Sequence, residues 1–358
     1  MNAACRGRPA TRLTRLKAHA LRAALVLVGA VAHAATPAPA PSAAASPLSR
    51  LTHVECPNFD AMKAHYTSDF ANRMTSWSLR ELADAGSRPV LYLFSGPDIV
   101  TAMALFPSAK HLTLVADQKP ELEQLESASA DDPGRQAREC NMLSYFAHRG
   151  YYRTNDLNGL GGSKPRFIKL LAYSLAFGGA TVTDAQVLAV AADGALVARA
   201  PGTPGPAQGV RFSGTRADGS ALTVDYLTID LSDHGLGPDP AARAYLQKNA
   251  RDVLFLKSAS HLLQSPHFAK LAELLLSPPA PIVVQDETGF GIDRLHGAYT
   301  LSLYGHFSAP QRLWAASPSA KALVAEYNAH PSTGELPFTI GYEKASGSAL
   351  LVGRRQSP

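Results

Sequence analysis

Three side chains stand out for the chemistry their setting would allow: Lys257, Asp286 and Glu287. Lys257 ends the apolar run VLFL and precedes Ser258 and Ser260, which puts an ammonium at the end of a buried strand. An unpaired ammonium there loses its proton or costs several kcal/mol, so the sequence predicts a carboxylate partner such as Asp230 or Asp286. The alternative is a lysine whose stem follows the sheet edge and whose head reaches solvent. Asp286 and Glu287 follow a second apolar run, IVV, and precede a glycine. Two carboxyls at a strand end are the best general acid and base candidates of the chain, although a polar loop at the sheet edge explains them equally simply. A third group comprises Ser95, Gly96 and Asp98 in the turn FSGPD, together with Asp117 after the apolar run LTLVA. Asp98 also reads as the cap of a helix beginning at Ile99.

Several chemistries find no support. The nucleophile signature G-x-S-x-G does not occur, and Ser95 is flanked by Leu93 and Pro97 rather than by two small residues. Ser174 has small neighbours, but its segment from Phe167 reads as a buried helix. His261 and His267 are six apart, which does not stack them on a helix face as an i, i+4 pair would. There is no P-loop, and the cysteines lack the paired spacing of a structural zinc site. The sequence identifies no cofactor, and any cofactor is unknown.

These residues need elements to position them. From Pro89 to Pro120 the chain reads as strand (Val90 to Phe94), turn, helix (Ile99 to Phe106) and strand (His111 to Ala116), the continuous apolar runs of strands buried on both faces. Before it, Asn58 to Ala85 reads as helical, with Phe59, Met62, Tyr66, Phe70 and Met74 three or four apart. Between about 182 and 230 the period falls to two, and two Asp-Gly turns mark hairpins, read as an inserted β-meander. The second half alternates again: helix Pro240 to Ala250, strand Val253 to Leu256, helix Pro266 to Leu276, strand Ile282 to Val284, strand Thr300 to Tyr304 and helix Gln311 to Tyr327. Phe338 to Tyr342 and Ala349 to Val352 read as a closing antiparallel strand pair. The expected fold is α/β, a three-layer Rossmann-like sandwich with a mostly parallel sheet, one domain over 48–353. In such sheets ligands bind beyond the carboxyl ends of the strands, which collects Ser95, Asp98, Asp117, Lys257, Ser258, Ser260, Asp286, Glu287 and His306 at one edge.

The N-terminus reads as an address. Arg6, Arg8, Arg12, Arg15, Lys17 and Arg22 precede a short apolar run, Ala23 to Val31, too short to span a bilayer, and Ala32-His33-Ala34 fits a signal peptidase site. The expectation is a signal peptide over 1–34, cleavage before Ala35, and a periplasmic or secreted product. Residues 35–47, ATPAPAPSAAASP, have the composition of a disordered linker. Six of the 34 basic residues fall in the signal, which leaves 28 basic against 29 acidic, so basicity gives no reason to expect a nucleic-acid partner. No transmembrane span is expected after cleavage. Cys56 and Cys140 remain once Cys5 departs; they either pair or stay as two buried thiols.

The order of elements around FSGPD and Asp117 resembles the Rossmann-type fold of the class I methyltransferases, here with its G-x-G signature degenerate. The resemblance implies that Ser95, Gly96 and Asp98 approach a methyl donor and that Asp117 holds its ribose. The stretches FLKSASHLL and IVVQDETG resemble uncharacterised secreted bacterial proteins with no assigned activity. Together these features lead to an expected ligand-binding or accessory module of the cell envelope, with an unknown small molecule or envelope protein as partner. The alternative is a hydrolase or transferase using Lys257, Asp286 and Glu287 at the strand ends.

Overall fold

A computed structural model describes residues 47–122, 133–152, 157, 166–199, 208–277, 280–309, 317–342 and 348–356. All of them belong to the second of the two units into which the chain divides, Ala45–Pro358. The expected signal peptide and nearly all of the linker lie outside the described residues.

Among the described residues ten strands form one sheet: β1 (Val90–Leu93), β2 (His111–Ala116), β3 (Thr181–Val190), β4 (Leu196–Ala198), β5 (Gly209–Thr215), β6 (Ala221–Thr228), β7 (Val253–Leu256), β8 (Ile282–Asp286), β9 (Tyr299–Gly305) and β10 (Ala349–Arg355). Their spatial order is β4-β3-β5-β6-β2-β1-β7-β8-β10-β9. The five central strands, β6-β2-β1-β7-β8, are parallel. The outer pairings, β3 with β4 and β5, β5 with β6, and β10 with β8 and β9, are antiparallel.

The sheet is therefore mixed, with five antiparallel pairings against four parallel, and the expectation of a mostly parallel sheet is corrected. The reason lies in the hairpins. Asp193-Gly194 joins β3 to β4 and Asp218-Gly219 joins β5 to β6, with both glycines at positive φ as tight turns require. These strands extend the main sheet instead of forming a separate insertion, and β6 enters the parallel block beside β2. The closing pair is corrected as well. β10 runs against β8 and β9, while 338–342 forms no strand. Gly341 there takes φ +74, and a Cβ on it would stand 2.4 Å from the Asp286 carboxylate, so the segment bends tightly against the end of β8.

Alternation along each central strand builds a core on both faces. Val90 and Tyr92 of β1, Leu112 and Leu114 of β2, and Val253 and Phe255 of β7 face one layer. The helices Phe59–Tyr66, Asn72–Glu81, Ile99–Leu105, Pro133–Arg149 and Phe167–Phe177 supply Tyr66, Trp77, Met103, Phe146 and Phe167 to that layer. Leu91, Leu93, Leu254 and Leu256 face the other, against Leu246 of the helix Pro240–Asn249, Leu271 and Leu275 of the helix Ala269–Leu276, and Leu323 of the helix Pro318–Ala329. The predicted helix over Asn58 to Ala85 forms with a π turn at Thr67–Ala71. Of the predicted helix from Gln311, 311–316 lie outside the described residues. Cys56 and Cys140 form a disulfide that ties the residues ahead of the helix Phe59–Tyr66 to the helix Pro133–Arg149. In the chain-entropy picture, closing a loop across 84 residues of separation stabilises the fold by roughly 4 to 5 kcal/mol.

Candidate functional site

The carboxyl ends of β1 and β7 lie side by side, and the chain leaves both through a left-handed residue: Phe94 at φ 55 and Ser258 at φ 56. Non-glycine residues rarely take this conformation, and it persists where surrounding contacts hold it. Asp98 caps the helix Ile99–Leu105, its Oδ1 accepting from the Thr101 N–H at 3.2 Å. The same carboxylate accepts from the Tyr92 hydroxyl at 3.0 Å and from Lys257 Nζ at 2.5 Å. Lys257 also donates to the Gly150 carbonyl at 2.7 Å. Lys257 and Asp98 are 1 % and 4 % exposed, so the ion pair is interior. The predicted pairing of Lys257 holds, but its partner is Asp98, not Asp230 or Asp286. The capping turn delivers Asp98 over the neighbouring strand end, whereas Asp286 is committed elsewhere. Burial, and then the Asp98 carboxylate, push the Tyr92 phenol well above its ordinary range, which keeps it a proton donor to that carboxylate.

Asp286 ends β8 and is buried. Its Oδ2 accepts from the Ser258 N–H at 2.8 Å, and its Oδ1 accepts from the Thr288 N–H at 2.8 Å and the Thr288 hydroxyl at 2.5 Å. Ser260 and Thr288 share a hydroxyl contact of 2.8 Å, and Gln285 pairs with both backbone groups of Phe290. Asp286 is thus a brace between the loops after β7 and β8. Glu287 is buried beside it. Burial, followed by Asp286, Tyr151 and Glu287, raises the Tyr342 phenol to about 12.

A cover closes this region from above. Tyr151 packs edge-on against Tyr342 with ring centres 5.4 Å apart, the Tyr152 hydroxyl meets Ser174 Oγ at 3.0 Å, and Leu157 lies where a Cβ on Gly96 would touch it at 3.6 Å. Ser95 is 6 % exposed and directs its Oγ to the Gly96 and Val115 carbonyls at 3.1 and 3.5 Å. The structure therefore gathers Asp98, Lys257, Ser258 and Asp286 around the ends of β1, β7 and β8, with Glu287 beside them, and pairs the first four internally. Ser95 turns towards β2, and His306 is exposed beyond β9, two strands from β8.

Asp117 stands apart from that group. It is exposed just past β2, on the rim of a cavity of about 520 Å³ at the carboxyl ends of β2 and β6, lined by Asp117, Lys119, Gln208, Thr228, Ile229, Asp230 and Asp239. Local bonds shape its wall: Tyr226 and Thr228 donate to the Gln118 carbonyl at 2.8 and 3.0 Å, Gln208 Oε1 accepts from the Val190 N–H at 2.7 Å, and Asp239 caps the helix Pro240–Asn249. No protein-family model matches the chain, and no curated protein matches it. Among the described residues, no group of three or more His, Cys, Asp or Glu side chains could hold a metal ion, and no helix is long and apolar enough to cross a membrane.

Sequence reasoning missed the cavity's other residues, because Gln208, Thr228 and Asp239 belong to no motif and meet only when β6 docks beside β2. It also missed a buried charge cluster on the second face. Asp225 of β6 is fully buried and accepts from Arg211 Nε and Nη2, both at 2.7 Å, and pairs with His111 Nε2 at 2.8 Å. Burial alone would raise the Asp225 carboxyl, but the Arg211 and His111 hydrogen bonds outweigh it and hold the group below the usual carboxylate range. A signal existed: Arg211 and Asp225 carry opposite charges on the alternate face of two predicted strands, and the register sets them directly opposite each other.

Proposed function

We propose that this chain is a ligand-binding module of Rossmann-like, class I methyltransferase-type architecture, exported by its N-terminal segment, with its ligand in the cavity between the ends of β2 and β6. A parallel block with the first strand at its centre, closed by antiparallel strands, supports the architectural reading. The observation that carries the site is a contrast in access. The β1 turn, where the family resemblance would seat a methyl donor, is covered by Leu157 and bound up in the Lys257–Asp98 pair, while Asp117 and its neighbours line an open cavity of small-molecule size. Lys257 and Asp286 then serve as interior scaffold, holding the loops after β1, β7 and β8 in place.

The lining selects a ligand class. Three carboxylates against one lysine leave the cavity net negative, which disfavours phosphates and carboxylates and favours neutral or cationic compounds rich in hydroxyl or amino groups. Nucleosides, sugars and polyamines are of this kind. The test is a thermal-shift screen of the three classes on the parent protein and on Asp117→Ala. A ligand at a hundred times its dissociation constant adds about 2.7 kcal/mol, roughly 4 °C for a domain of this size. The reading expects such a rise in the parent and its loss in Asp117→Ala, and a rise that Asp117→Ala leaves intact refutes it. Export has its own check: the N-terminus of chain recovered outside the cytoplasm of a bacterial host should be Ala35, and an intact Met1 contradicts it.

A further inference from the structure

Away from the strand ends, two histidines meet on the surface between the helices Phe59–Tyr66 and Pro133–Arg149. The rings of His65 and His148 stand 5.4 Å apart, centre to centre, and both side chains are exposed. Each ring has its Nδ1 engaged. His65 Nδ1 faces Asp69 Oδ2 at 3.1 Å, and His148 Nδ1 donates to the Ser144 carbonyl at 2.7 Å. An acceptor on Nδ1 fixes the proton there and leaves the Nε2 lone pair free, the arrangement that carboxylates and carbonyls impose on metal-binding imidazoles.

We propose that His65 and His148 form a two-imidazole site for a divalent transition metal of the zinc, copper or nickel type, with Asp69 and the Ser144 carbonyl as its orienting groups. The spacing agrees. An imidazole bound through Nε2 at about 2.0–2.1 Å puts its ring centre about 3.2 Å from the metal, so two rings sharing a tetrahedral ion stand about 5.2 Å apart. The supporting structure is specific to this spot. The π turn Thr67–Ala71 carries Asp69 one turn beyond His65, a local irregularity of a kind that often accompanies function. The Cys56–Cys140 disulfide pins the same two chain segments: His65 lies nine residues after Cys56 and His148 eight after Cys140, so the bridge ties both segments a little over two helical turns before the histidines. Two protein ligands leave the remaining coordination positions to water or to a ligand from solution, as befits an open surface site. Nickel, copper and zinc accept imidazole readily, whereas magnesium and calcium prefer oxygen.

The experiment is calorimetric titration of the full, disulfide-intact chain with zinc chloride, repeated with copper(II) under paramagnetic resonance to count bound nitrogens. Expected are saturable zinc binding in the parent, its loss in His65→Ala and in His148→Ala, a weakening of about 10- to 100-fold in Asp69→Asn, and two nitrogen couplings on copper. His296→Ala, which alters an exposed histidine paired with Glu326, should leave the binding unchanged. Absence of saturable binding in the parent, or equal binding in the parent and the two alanine variants, overturns the proposal. Melting temperatures of the variants, expected at the parent value because both histidines are exposed, separate loss of the site from loss of the fold.

Discussion

Replacing Lys257 by methionine keeps most of the stem's volume and removes the charge, so it isolates what the buried ion pair contributes. In the variant, the Asp98 carboxylate, 4 % exposed, retains only the Tyr92 hydroxyl and the Thr101 N–H, and the Gly150 carbonyl loses the donor at 2.7 Å. Leaving one partner of a buried pair uncompensated costs about 3–5 kcal/mol. With an unfolding entropy of about 2.1 cal/mol/K per residue over roughly 300 residues, the melting temperature should fall by about 5–8 °C. Asp98→Asn added to Lys257→Met removes the stranded charge while its Oδ1 still accepts from the Thr101 N–H and its Nδ2 donates to the Tyr92 hydroxyl, so the double variant should recover part of the loss, with a coupling of about 1–3 kcal/mol. Guanidinium melts followed by far-ultraviolet circular dichroism, on the parent, both single variants and the double, complete the cycle. A Lys257→Met variant within about 0.5 kcal/mol of the parent, or strictly additive effects, refutes the role of this pair as interior scaffold at the strand ends.

Two more expectations follow from the same structure. Reducing the Cys56–Cys140 bridge should lower stability by about 2–5 kcal/mol, read as a drop in denaturation midpoint with reductant; an unchanged midpoint contradicts the structural role given to it. Burial raises the Asp252 carboxyl from 3.8 to about 6, against the opposing pull of His111. The folded state thus holds this proton more tightly than the unfolded one, so the group's contribution to stability falls as pH rises from about 4 to 6 and stays low above. Asp252→Asn should flatten that slope and stabilise the protein at pH 7; melts across pH 4 to 8 in which the variant keeps the parent's slope would show the assignment to be wrong.

Local pattern made much of the fold legible and left its long-range partners hidden. The runs VLYL, LTLVA and VLFL gave β1, β2 and β7 nearly to the residue, because strands buried on both faces read as near-continuous apolar runs. The two Asp-Gly turns located the hairpins. Pattern does not say which neighbour a strand takes: it puts β6 in an inserted meander and pairs β10 with FTIGY, whereas β6 docks in the parallel block and β10 inserts between β8 and β9. FTIGY is apolar, but Gly341 bends it to make room for the Asp286 carboxylate. At the site, burial after VLFL correctly demanded a partner for Lys257. Asp98, 159 residues away, reads from the sequence as a helix cap or as part of a ligand-binding turn, and only the fold shows that the capping carboxylate is also the partner of Lys257. Leu157, which closes the β1 turn, belongs to no motif and left no mark in the sequence.

The central claim is that the cavity beside β2 is open to ligands and the β1 turn is not, and relative thiol reactivity measures it without knowing the ligand. Single cysteines at Asp117 and at Ser95, in a chain whose Cys5 is replaced by alanine and whose remaining cysteines are bridged, would be timed against a small maleimide. The account predicts prompt labelling of Asp117→Cys and labelling of Ser95→Cys only as fast as the cover opens. Equal rates at the two positions would contradict it and return the β1 turn as the binding site.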